Sequence, residues 1–158
     1  MDLSEHQLTP RVIGALYTEA MILADEARSY FTADRTAQVS GKMVDAVAFS
    51  CESMKVTTRL MHCIAWLLNQ RAADNARGEE GGYHAARRGL GYTPPSDPEL
   101  TRHLPDDARV LIAQSESLYA RLARLHTTLE ARRVAVFRDE GNDNHPVGAL
   151  MTRLQAAL

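Results

Sequence analysis

Apolar residues recur at alternating spacings of three and four along three long stretches of the chain, the pattern of helices with one buried face. In the first stretch Ile13, Leu16, Ala20, Leu23, Ala27 and Tyr30 keep this spacing. Thr9 followed by Pro10 reads as an N-cap with proline at the first helical position, where the missing N–H is no loss. The pattern predicts a helix over about 10–32. In the second stretch Val44, Val47, Cys51, Met54, Thr58, Met61, Ala65, Leu68 and Ala72 follow one another without a break. This is a heptad row of the kind that forms the seam of a bundle or coiled coil. Val56, Leu60, Cys63 or Ile64, and Leu67 add a second apolar row, so this long helix, about 40–76, is expected to pack against more than one neighbour.

The third stretch opens at Pro105, with Asp106 and Asp107 in the first turn, where the helix dipole favours negative charge. Leu104, Ala108, Leu111, Ser115, Leu118, Leu122, Leu125 and Leu129 then keep the same period, predicting a helix over 105–134. Between the second and third helices, residues 77–103 hold five of the nine glycines and three of the six prolines without a helical period. A connection of that length reads as a mobile crossover loop. After the polar break "RDEGNDNHP", Val147, Leu150, Met151, Leu154 and Leu158 share one face of a short amphipathic unit that needs a surface to dock on. The reading is therefore all-α: an antiparallel three-helix bundle over 1–137 with a long second helix, and a flexible tail over 138–158.

Composition narrows the functional classes. A chain of 158 residues with 45% hydrophobic and 24% charged residues has the size and balance of one globular domain with a real core. The formal net charge of -2 gives no excess of cations to neutralise a phosphate backbone, so nucleic acid is not an expected partner. The N-terminus lacks a basic-then-apolar signal and no segment has the roughly 20 apolar residues of a membrane span, so a cytoplasmic location is expected. Cys51 and Cys63 read as small hydrophobes, since twelve helical residues separate them by about 18 Å.

A search for chemistry finds little. The six histidines are dispersed, and none stands in an H-E-x-x-H or a Glu-x-x-His arrangement suited to metals. No hydrolase elbow and no glycine loop before a lysine is present. The expectation is a protein that is not an enzyme, with no cofactor and no metal. Two features of the second helix point to contacts instead. Thr58 and Ser115 occupy core positions in otherwise apolar rows, beside Arg59 and Glu116, which suggests a polar pair and an ion pair that meet across the bundle and set its register. The plainer reading has both hydroxyls bonded one turn back. Glu52, Lys55, Arg59, His62, Trp66 and Asn69 form a row around the only tryptophan, a candidate surface for a partner. The alternative places Trp66 beneath the first helix with a solvated flank.

The blocks "LYTEAMILADEARSYF" at 16–31, "ESMKVTTRLMHCIAWLLNQRA" at 52–72 and "LPDDARVLIAQSESLYARLARL" at 104–125 together resemble the RcdA family, the regulator of CtrA degradation group of bacterial proteolytic adaptors. The closing "HPVGALMTRLQAAL" is similar to the short C-terminal segment of its members. The resemblance implies a three-helix bundle that forms a homodimer and carries a flexible tail. It also implies a non-enzymatic role, in which substrates such as cell-cycle transcription regulators are brought to ClpX and the ClpXP protease. Trp66 and the apolar tail residues Val147, Leu150, Met151 and Leu154 are the candidate partner-binding positions. The other function that such a surface can serve is direct regulation of a partner by a helical dimer, without a protease.

Overall fold

The computed structural model describes residues 3–33, 43–76, 85 and 87–143, with side chains described over 9–33, 43–76, 85 and 87–135. Among the described residues the helices follow in order: α1 Leu3–Thr32, α2 Met43–Asn75, a single turn α3 Pro98–Thr101, and α4 Asp106–Asp143. No strand occurs among the described residues. The chain divides into two compact units, Met1–Ala123 and Arg124–Leu158, so the boundary expected near 137 lies inside the second.

Two helix ends differ from the pattern. α1 starts at Leu3 and takes Pro10 into its interior, so the proline is not the opening residue. The carbonyl one turn before it goes without a helical donor, a local cost that the remaining backbone bonds of α1 tolerate. α4 runs through the polar stretch expected to break it and ends at Asp143. Gly141 costs only about 1 kcal/mol in a helix, so the glycine alone does not end it.

Within the first unit, α1, α2 and the part of α4 up to Ala123 form a bundle whose directions follow from a few contacts. Tyr30 and Phe31, late in α1, meet Phe49, early in α2, with ring centroids 6.3 and 5.4 Å apart. Tyr17, early in α1, lies 4.7 Å beneath the guanidinium of Arg71, late in α2. These two helices are antiparallel. Arg59 of α2 bonds Ser115 of α4, and Arg121, further along α4, pairs with Glu19 of α1, at the level where α1 faces the C-terminal half of α2. Thus α4 runs against α1 and along α2. The expected bundle is antiparallel at two of its interfaces and parallel at the third, because residues 87–105 carry the chain back along α2 before α4 begins. That return is the physical reason for the long connection.

The core combines Ile13, Ala20, Leu23, Ala27 and Tyr30 of α1 with Leu104 and, from α4, Ala108, Leu111, Ile112, Leu118 and Leu122. Apart from Ile112, both sets belong to the rows read from periodicity. α2 is turned the other way. Its buried apolar residues are Ala48, Phe49, Val56, Leu60, Cys63, Trp66 and Leu67, which include most of the secondary row. The heptad row lies outside: Val44, Val47, Met54, Met61 and Leu68 are 46–71% exposed, and Cys51, Thr58, Ala65 and Ala72 are exposed with them.

Candidate functional site

The polar row of α2 is interior. Glu52, Arg59 and Trp66 are 2%, 1% and 1% exposed, while Lys55, His62 and Asn69 are half-buried. Buried charge is expensive unless paired and hydrogen-bonded, so the row needs partners. They come from the returning segment 91–96 and from α4.

Arg59 is the hub. Its Nη1 donates to Ser115 Oγ at 2.8 Å, and Ser115 in turn donates to the Ile112 carbonyl at 2.8 Å. Its Nη2 donates to the Pro94 carbonyl at 3.1 Å and lies 3.5 Å from Glu116 Oε1. Glu52 is held on both oxygens: Lys55 Nζ donates to Oε1 at 2.7 Å and Ser96 Oγ to Oε2 at 2.5 Å. The Ser96 backbone N–H donates to Glu116 Oε1 at 2.8 Å, and Lys55 also reaches the Pro95 carbonyl at 3.4 Å. Two carboxylates, two cations and two serines thus form a neutral network around three residues of extended chain. Prolines at 94 and 95 have no N–H to satisfy, so their free carbonyls can face the cations.

A second clamp lies further along α2. Tyr119 Oη donates to the Gly91 carbonyl at 2.9 Å, and the Gly91 backbone lies directly on the His62 ring. A Cβ at position 91 would come within 2.6–2.7 Å of three ring atoms, so only glycine permits this approach. Asp97 caps α3 by accepting from the Glu99 N–H at 2.9 Å. The described half of the connection expected to be mobile is therefore fastened at Gly91, at Pro94–Ser96 and at α3.

Of the residues singled out in the sequence, the structure brings together Glu52, Lys55, Arg59, Ser115 and Glu116. It does not bring Thr58 to Ser115: Thr58 points outward from the heptad row. Ser115 completes its hydrogen bonding with Arg59 in place of that hydroxyl. Trp66 lies within the core, so neither it nor Glu52 nor Arg59 offers a surface to another protein, which corrects the reading of this row as a docking stripe. Val147, Leu150, Met151 and Leu154 lie outside the described residues. Gly91, Ser96 and Tyr119 were missed, although "GYTPPS" carried a signal in its paired prolines: extended chain with unbonded carbonyls.

Cys63 sits in the core beside the network, and burial pushes its thiol up from 9.0 to about 12, an effect the Arg59 charge partly offsets. Cys51 is exposed. Among the described residues no group of three or more His, Cys, Asp or Glu is placed to hold a metal ion, and no helix is long and apolar enough to cross a membrane. The arrangement does mechanical work, since it fixes an irregular segment and the register of α2 against α4.

Over residues 4–158 the chain matches the family described as "Protein of unknown function (DUF1465)". No curated protein and no solved structure matches it.

Proposed function

The chain belongs to the DUF1465 family, and we propose that it is a non-enzymatic adaptor of the RcdA kind. In this reading a cytoplasmic homodimer delivers substrate proteins, such as cell-cycle transcription regulators, to the ClpXP protease. The resemblance in the blocks at 16–31, 52–72 and 104–125 supports it. The observation that carries it is the reach of the family match, which runs through residue 158 and so includes the apolar tail as well as the bundle. Val147, Leu150, Met151 and Leu154 are the positions assigned to partner capture. The bundle acts as the frame, with Glu52, Arg59 and Glu116 spent on internal fastening.

Affinity capture from the native cell lysate with light cross-linking tests this reading. The expected result is recovery of ClpX together with a response regulator or transcription factor, whose degradation by purified ClpXP then accelerates when the protein is added. Deleting residues 144–158 is expected to abolish that acceleration while leaving the melting temperature of the bundle unchanged. Recovery of a stable partner without the protease, and no effect on degradation, would replace the adaptor with a direct helical regulator.

A further inference from the structure

The second compact unit, Arg124–Leu158, holds a groove of its own. Among the described residues it is lined along α4 by His126, Thr127, Glu130, Ala131, Val134 and Ala135, and it has a volume of about 580 Å³. Ala131, Val134 and Ala135 give it an apolar floor, and all three are exposed. The six residues recur at spacings of three and four, so they share one side of the helix. We propose that residues 144–158 form a short helix that folds back along α4 and docks its apolar row in this groove.

The reach of the chain selects this occupant. α4 ends at Asp143, and residues 144–146 match in length the loops of roughly two to five residues that join antiparallel helices. Asn tolerates the left-handed conformation that closes one helix, and Pro opens the next without losing a hydrogen bond. Asn144 and Pro146 stand in that order. With Val147 at the level of Asp143, a helix rising 1.5 Å per residue runs back about 17 Å and brings Leu158 to the level of Arg132. Leu154 and Leu158 then stand over Val134, Ala135 and Ala131.

Composition and charge agree with this occupant. Val147, Leu150, Met151, Leu154 and Leu158 make one apolar face on a segment too short to hold a helix alone in water, and the groove supplies the missing surface. Residues 144–158 include Arg153 and no acidic residue, whereas residues 139–143 hold Asp139, Glu140 and Asp143, so a folded-back tail meets opposite charge. A segment tethered this closely is present at its own groove at roughly millimolar effective concentration, so a modest contact is enough to hold it. The docked face contains Val147, Leu150, Met151 and Leu154, the positions assigned to partner capture, and a partner must draw them out of the groove. That consequence rests on the adaptor reading, whereas the docking itself does not.

The test uses the full chain with Cys51→Ser, in which the remaining Cys63 is buried. Leu158→Cys is combined with Ala131→Cys inside the groove or with Arg132→Cys, an exposed position about 100° further round the helix. Under mild oxidation the first combination is expected to close a disulfide within one chain at least about tenfold faster than the second, the bond being mapped by peptide mass spectrometry. Val134→Glu, which sets a carboxylate on the groove floor, is expected to remove that preference with the helical circular dichroism retained. Neither protease nor cargo takes part, so a failure of the docking is distinct from a failure of the adaptor reading. Equal rates at the two positions, a preference that survives Val134→Glu, or a bond that joins two chains would overturn the docking.

Discussion

The two faces of α2 depart from the usual division of labour, since charges are buried among Phe49, Val56, Leu60 and Leu67 while a second apolar row stays outside. Its inner face carries Glu52, Arg59 and Trp66, and its outer face carries Val47, Met54, Met61 and Leu68. By comparison α1 and α4 keep the ordinary order, with Leu23, Ala27, Leu118 and Leu122 inside. The difference teaches that hydrophobicity selects the buried face of a helix only where no other group can satisfy the charges. α2 has such groups in Ser115, Glu116 and the carbonyls of Pro94 and Pro95, so its polar row can turn inward. The apolar row is then left outside.

The inner face is the more sensitive to change. Arg59→Ala removes the hub, leaving Ser115 and the Pro94 carbonyl without their donor and Glu116 without its cation. The expected loss is roughly 2–4 kcal/mol of unfolding free energy, read by urea denaturation, since two acceptors lose a charged donor, while Glu116 is partly exposed and stays solvated. A loss below about 1 kcal/mol would show that the network is ornamental. The comparison sharpens at the two hydroxyls that the sequence seemed to pair. Ser115→Ala is expected to cost about 1–3 kcal/mol, because a buried donor loses its acceptor. Thr58→Ala is expected to stay within about 0.5 kcal/mol.

The two cysteines repeat the contrast. At dilutions where copies do not associate, Cys51 is expected to react with a maleimide at once in the folded protein at neutral pH, and Cys63 only after unfolding, counted by mass spectrometry. The sign of the pH effect follows. The folded thiol of Cys63 titrates near 12 against 9.0 for an unperturbed one, so the native state favours the protonated form. Its contribution to stability is fully present below pH 9 and is lost as pH rises from 9 towards 12. The smallest effect belongs to the outer face of the isolated chain. Met54→Lys, measured at dilutions where copies do not associate, is expected to change stability by no more than about 0.5 kcal/mol.

Much of the fold was legible because most of its determinants are local. The rows of α1 and α4 could be read from spacing alone, as could the long connection from its glycines and prolines. The orientation of α2 could not. Two rows of equal regularity competed, and the groups that decide between them lie 35–56 residues away in sequence. The secondary row of Val56, Leu60, Cys63 and Leu67 was the sign that the helix had another face to bury, and Trp66, the largest side chain of all, sat beside it. Similarly, Pro10 fitted an N-cap pattern that the helix before it overrode. Arg59 with Glu116 was within reach of inspection because each stood next to a polar intruder in an apolar row. Gly91 against His62 was not, since a close backbone approach leaves no periodic trace.

The central claim is that α2 faces inward with its polar row, and the chain's single tryptophan reports on that row directly. Quenching of Trp66 fluorescence by acrylamide in the folded protein is the measurement that tests it. Buried as it is, Trp66 is expected to resist quenching until denaturant unfolds the bundle, and then to become accessible in the same transition as the loss of helix. Free quenching of Trp66 in the folded protein would place the polar row in solvent and the heptad row in the core, and the account of α2 would be contradicted.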